Sequence, residues 1–125
     1  MSTDIRNYDV AARSTDVYGR VLCSARDHHF IVDGPVQNGC PGEEVTPAEL
    51  FLASVAACAV ELIQVFAKQR NATLKHIRAQ VHGMMDRSQP VRSDYNVFNS
   101  VRLQLEFEGT SYEQAVELAE AFKKR

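Results

Sequence analysis

Cysteine is scarce in this 125-residue chain: Cys23, Cys40 and Cys58 are the only three. Their separations of 17 and 18 positions fit no zinc-ligand spacing. The opening Met-Ser-Thr-Asp-Ile-Arg has no basic segment followed by an apolar run, so no secretory leader is expected. An odd number of cysteines without a leader points to free thiols in a reducing cytoplasm rather than to a disulfide framework. Charge of one sign is lacking too. The net charge is −2 and the basic residues are scattered, which argues against a nucleic-acid partner. His28 and His29 are adjacent, so on a strand they point to opposite faces and are ill placed to share a metal. The i, i+4 histidine pair of a helical metal site is absent, as is a glycine-rich phosphate loop, so neither metal nor cofactor is expected. No nucleophile-elbow pattern supports a serine hydrolase. There are no repeats, low-complexity stretches or dividing linkers, and residues 1–125 are expected to form one domain.

What is present reads as an α+β protein. Hydrophobic residues make up 45% and charged residues 24%, ordinary for a soluble globular chain. The first third is extended in character. Asp16–Ala25 and His29–Asp33 read as two strands joined by a turn at Arg26-Asp27-His28, before a stop at Gly34-Pro35. Residues 38–42, Asn-Gly-Cys-Pro-Gly, are a loop by composition. Thr46-Pro47-Ala48-Glu49 then places a threonine N-cap, a proline at the first helical position and a glutamate three residues after the cap. From Leu50 to Ala67 only Ser54, Glu61 and Gln64 interrupt an apolar run, which ends in Lys68-Gln69-Arg70-Asn71. The run approaches the length of a membrane span, but Glu61 near its middle argues against one. A helix apolar nearly all round must be covered on most sides. One sheet and one short helix can hardly do that in a chain of this size, so a two-fold homodimer is expected. Lys75–Gly83 and Val101–Glu108 alternate apolar with polar residues and read as strands. Ser111, with Gln114 three residues on, opens a second, shorter amphipathic helix.

Cys58 is the leading candidate for chemistry. Its bland reading is a small core residue on an apolar helix. Its functional reading requires a nearby cation in a partly open pocket, because mid-helix it gains nothing from the helix dipole. Glu61, three residues on, shares its side of the helix and works against a thiolate unless an arginine offsets it. Cys23 reads as core filler within a strand. Cys40 is either a tolerated loop thiol or, if the loop folds over the helix, a partner that resolves an oxidised Cys58.

Val32-Asp33-Gly34-Pro35, the glycine-containing loop, and Thr46-Pro47-Ala48-Glu49-Leu50-Phe51-Leu52-Ala53-Ser54-Val55-Ala56-Ala57-Cys58 together resemble the OsmC/Ohr family (osmotically induced protein C and organic hydroperoxide resistance). In that family a Pro-x-x-Leu helix start is followed by small residues and then the reactive cysteine. The resemblance implies antiparallel sheets around a long buried central helix, in an intertwined homodimer with active sites at the interface. It also implies a thiol peroxidase in which Cys58 attacks an organic hydroperoxide and a thiol reductant closes the cycle. The thiolate-stabilising arginine carries over to Arg20, with Arg13 next. The family's acid directly follows the helix-start proline, where this chain has Ala48; Glu49, one place on, is the nearest carboxylate. The family's resolving cysteine opens a Cys-Pro step on the last helix, and no such cysteine stands before Phe122-Lys123-Lys124-Arg125. These departures keep a second function open: a non-catalytic relative that binds a small apolar or thiol ligand at the dimer interface. A redox sensor acting through Cys58 is a third.

Overall fold

A computed structural model describes residues 4–94 and 96–124. The chain forms two compact units, one running to Leu50 and the other starting at Phe51.

The first unit is built on a three-stranded antiparallel sheet, β1 (Val10–Ser14), β2 (Arg20–Ala25) and β3 (His28–Asp33), in that order. The β2–β3 hairpin follows the expected pattern, with Arg26 in the left-handed region at φ 55° in its turn. The strand expected from Asp16 starts only at Arg20. Residues 15–19 turn instead: Arg20 N–H donates to the Val17 carbonyl, and the Thr15 hydroxyl donates to the Arg20 carbonyl. β1 is set by pairing rather than by its own pattern, since Val-Ala-Ala-Arg-Ser has little alternation and lies opposite Val21–Ala25. Cys23 and Val32, which share one sheet face by register, are buried. A single 3-10 turn, Val36–Asn38, lies in the connection that follows.

Helix α1 (Pro47–Gln69) begins in the first unit and continues into the second. The second unit adds β4 (His76–Met84), β5 (Ser100–Glu108) and α2 (Tyr112–Lys123). β4 and β5 pair antiparallel in a register that sets Ile77 opposite Phe107, Ala79 opposite Leu105 and Val81 opposite Leu103. All six are half-buried, while their polar neighbours along both strands are exposed. Ile63, Phe66, Ala67 and Leu118 form the buried centre, packed by Leu62, Leu74, Ile77, Leu105, Phe107 and Phe122, among others. Ser111 caps α2 by accepting from Gln114 N–H at 3.1 Å. The reciprocal half of that capping box is replaced, because the Gln114 side-chain oxygen accepts from the Thr110 hydroxyl instead.

Within α1 four residues are buried: Ala59, Ile63, Phe66 and Ala67. Leu50, Phe51 and Val65 are exposed in the single chain. Among the described helices it is the one long and apolar enough to cross a membrane by length and composition, a test that the core helix of a soluble protein also passes.

Candidate functional site

Two features carry the polar and nucleophilic chemistry. The first is an ionic clamp at one end of the three-stranded sheet. Strand register puts Arg20, the first residue of β2, opposite Asp33, the last of β3. Their side chains meet in a two-pronged pair: Arg20 Nε donates to Asp33 Oδ1 and Nη2 to Oδ2, both at 2.8 Å. Nη2 also reaches Glu43 Oε1 at 2.7 Å. Asp33 is fully buried, and its Oδ2 accepts the backbone N–H groups of Glu43 and Glu44 at 3.0 Å each. A buried carboxylate survives only when its lone pairs are filled, and here they are. The Arg20 hydrogen bond, aided by those two amides, outweighs burial and holds the Asp33 pKa down at about 2. Asp33 and then Glu43 reinforce the Arg20 charge in return.

The clamp shapes the loop that carries Cys40. Gly19 precedes Arg20 and Gly34 follows Asp33, and both pack on the half-buried Cys40 side chain. A Cβ at either glycine would lie 2.5 Å from Cys40 Sγ. Gly34 N–H donates to the Gly19 carbonyl at 2.8 Å, and Gly42 N–H to the Gly34 carbonyl at 3.1 Å, so the loop turns back on the sheet end. Arg13, opposite Leu22, shares a sheet face with Arg20 but is exposed.

The second feature is α1 itself. Its start is the expected capping box: Thr46 N–H donates to Glu49 Oε1 at 3.0 Å, and Glu49 N–H to Thr46 Oγ1 at 3.4 Å. The Thr46 backbone N–H, then its hydroxyl, lower the Glu49 pKa. Cys58 lies nine residues further along α1, as a free and exposed thiol. Glu61 is also exposed. Cys23 is buried, as expected of core filler. Among the described residues no group of three or more His, Cys, Asp or Glu side chains is placed to hold a metal ion.

The structure thus joins Arg20 to Asp33 and Glu43, and Glu49 to Thr46. Asp33 and Glu43 were not singled out in the sequence. An acidic residue ending a strand just before Gly-Pro was the available signal for Asp33, and only the register supplies its partner.

The family of OsmC-like proteins matches residues 40–125, and this chain belongs to it. The fold agrees. An OsmC-like protein from Mycoplasma pneumoniae superposes with a TM-score of 0.82 at 18% identity, over 98% of this chain and 84% of that one. An organic hydroperoxide resistance protein from Legionella pneumophila gives 0.68 at 20% identity, over 94% and 82%. The organic hydroperoxide resistance protein OhrB of Bacillus subtilis gives 0.59 at 27% identity, over 93% and 82%. No curated protein matches the chain.

Proposed function

We propose that the protein is a cysteine-dependent peroxidase for organic hydroperoxides, with Cys58 as its nucleophile. The observation that carries this reading is an exposed thiol on the long apolar helix, inside the segment that matches the OsmC-like family. Similarity to organic hydroperoxide resistance proteins supports the substrate class. In the reaction the Cys58 thiolate attacks the outer oxygen of the hydroperoxide. The O–O bond breaks, an S–O bond forms, and the departing alkoxide takes up a proton to leave as an alcohol. Sulfur is oxidised by two electrons and becomes a sulfenic acid. An external dithiol completes the cycle: its first thiol condenses with the sulfenic acid and releases water, and its second displaces Cys58 from the mixed disulfide. Free thiols suit a reducing compartment, and we place the protein in the cytoplasm.

The working unit in this reading is a homodimer. α1 exposes Leu50, Phe51 and Val65 in the single chain, and a second copy is the economical cover for that surface. Arg20 and Glu49 are the charged groups carried over to the site; each already has a partner, in Asp33 with Glu43 and in Thr46.

That engagement of Arg20 favours one alternative, an OsmC-like protein that binds a small apolar or thiol ligand without turnover. Intact-mass measurement after a slight excess of cumene hydroperoxide separates the two readings. Rapid addition of one oxygen, absent in Cys58→Ser and reversed by a dithiol with multiple turnover, is the outcome expected of the peroxidase. Equal, slow oxidation of both proteins leaves the binding reading.

A further inference from the structure

The β4–β5 hairpin turns Ile77, Leu105 and Phe107 to the apolar centre and leaves its other face exposed. Register decides which polar side chains meet on that outer face. Arg78 stands opposite Glu106, and its Nε donates to Glu106 Oε2 at 3.1 Å. Two rungs along, the pattern breaks: His82 stands opposite Arg102. The rungs on either side, Gln80 with Gln104 and Met84 with Ser100, hold no carboxylate. Among the described residues neither Arg102 nor His82 takes part in an ion pair. Arginines on one sheet face are thus treated in two ways, one neutralised by its opposite residue and one set against a second basic side chain. Like charges directly opposite on neighbouring strands weaken the pairing, and an anion held between them reverses the sign of that interaction.

The same rungs border a cavity. It measures about 350 Å³, is open to solvent, and is lined by Gln80, Val81, His82, Arg102 and Gln104. Small-ligand pockets begin at about 300 Å³, so there is room for more than a solvent ion. Four of the five lining side chains carry N–H donors. Guanidinium presents five in a fixed fork, each carboxamide presents two, and imidazole keeps one even when neutral. Cross-strand neighbours on a sheet face lie close enough, with Cβ atoms about 5 Å apart, for such donors to converge on one group.

We propose that this cavity on the outer face of β4–β5 binds a phosphoryl group, with Arg102 as its principal ligand and His82, Gln80 and Gln104 as further donors. The number of donors selects the anion. A carboxylate has two oxygens, and the arginine fork alone fills them. A phosphoryl group has more, and gives the imidazole and the two amides something to bind. Neither a glycine-rich loop nor a helix N-terminus contributes; strand register assembles the site. Free phosphate and a phosphomonoester share this chemistry, and Val81 at the cavity wall offers apolar contact only to the body of an ester.

The test is an NMR titration of the full chain at low ionic strength, because exposed charges are screened by salt. Inorganic phosphate, phenyl phosphate and benzoate are the probes. The expected result is saturable shifts centred on residues 80–82 and 102–104 with both phosphates, and weaker binding of benzoate. Arg102→Gln should weaken phosphate binding roughly tenfold, the loss of charge-assisted hydrogen bonds, and His82→Gln by a smaller factor. Arg13→Gln removes the same charge from the separate three-stranded sheet and should leave the affinity unchanged. All three side chains are exposed, so none of these substitutions disturbs the core. Phenyl phosphate binding several-fold tighter than inorganic phosphate assigns the site to an ester; equal affinities assign it to the free ion. Absence of saturable shifts at these residues overturns the proposal. So does binding that Arg102→Gln leaves intact, an equal loss in Arg13→Gln, or benzoate bound as tightly as phosphate.

Discussion

The two compact units hold themselves together by different physics. In the second, two helices and a two-stranded sheet close over Ile63, Phe66, Ala67 and Leu118, a wholly apolar centre. In the first, Cys23 and Val32 of a small sheet are buried, and so is Asp33, the one buried charged residue described. Apolar packing is non-directional, and its strength follows from area and fit. The Asp33 clamp depends on direction, since each oxygen is matched to a guanidinium or backbone N–H. The apolar unit should therefore respond to volume, and the clamped unit to hydrogen-bond geometry and pH.

Leu118→Ala should show the largest effect, because the side chain is almost wholly buried. It should cost about 3 kcal/mol in urea unfolding, within the usual range for a core leucine. A loss below about 1 kcal/mol would mean that the site collapses to fill the cavity. Asp33→Ala should follow, lowering the melting temperature by roughly 5–10 °C, since it leaves two backbone amides unpaired and Arg20 with Glu43 as its remaining carboxylate. If an isosteric Asp33→Asn melts like the native protein, geometry rather than charge holds the loop, and the contrast between the units weakens.

The same carboxylate gives the clamp its pH signature. The folded pKa of Asp33, about 2, lies below the ordinary 3.8, so its stabilisation is fully present above pH 4 to 5. It is lost as pH falls from 3.8 through about 2. Melting temperature measured across that window should drop more steeply in the native protein than in Asp33→Asn. Thr46→Ala, which removes the α1 cap, should cost about 1 kcal/mol by the same urea measurement. Arg78→Ala should be the smallest change. Its pair with Glu106 lies on the exposed face of β4–β5, and calorimetry should detect no shift in melting temperature.

Local signals were the readable ones. The start of α1 was legible from Thr46 to Glu49, and the structure forms both reciprocal bonds of that box. The strands β4 and β5 were legible from alternation, within a residue or two of their ends. β1 was not, because a strand without alternation is specified by its neighbour. Nor was the β2 start at Arg20, which depends on hydrogen bonds within residues 15–20. Cys58 could be picked out because its helix and preceding small residues are contiguous. The full engagement of Arg20 could not, since Asp33 and Glu43 stand 13 and 23 positions away.

The amino-acid order by itself determined the α+β class, the long apolar helix with its cap, the position of the candidate thiol and the family. Each of these is written in periodicity or in neighbouring residues. Tertiary structure alone decided which charges meet, that Cys40 rests on Gly19 and Gly34, and that Phe98 stacks on Phe51. Those contacts join residues far apart in the chain, and register and loop closure, rather than local preference, bring such residues together.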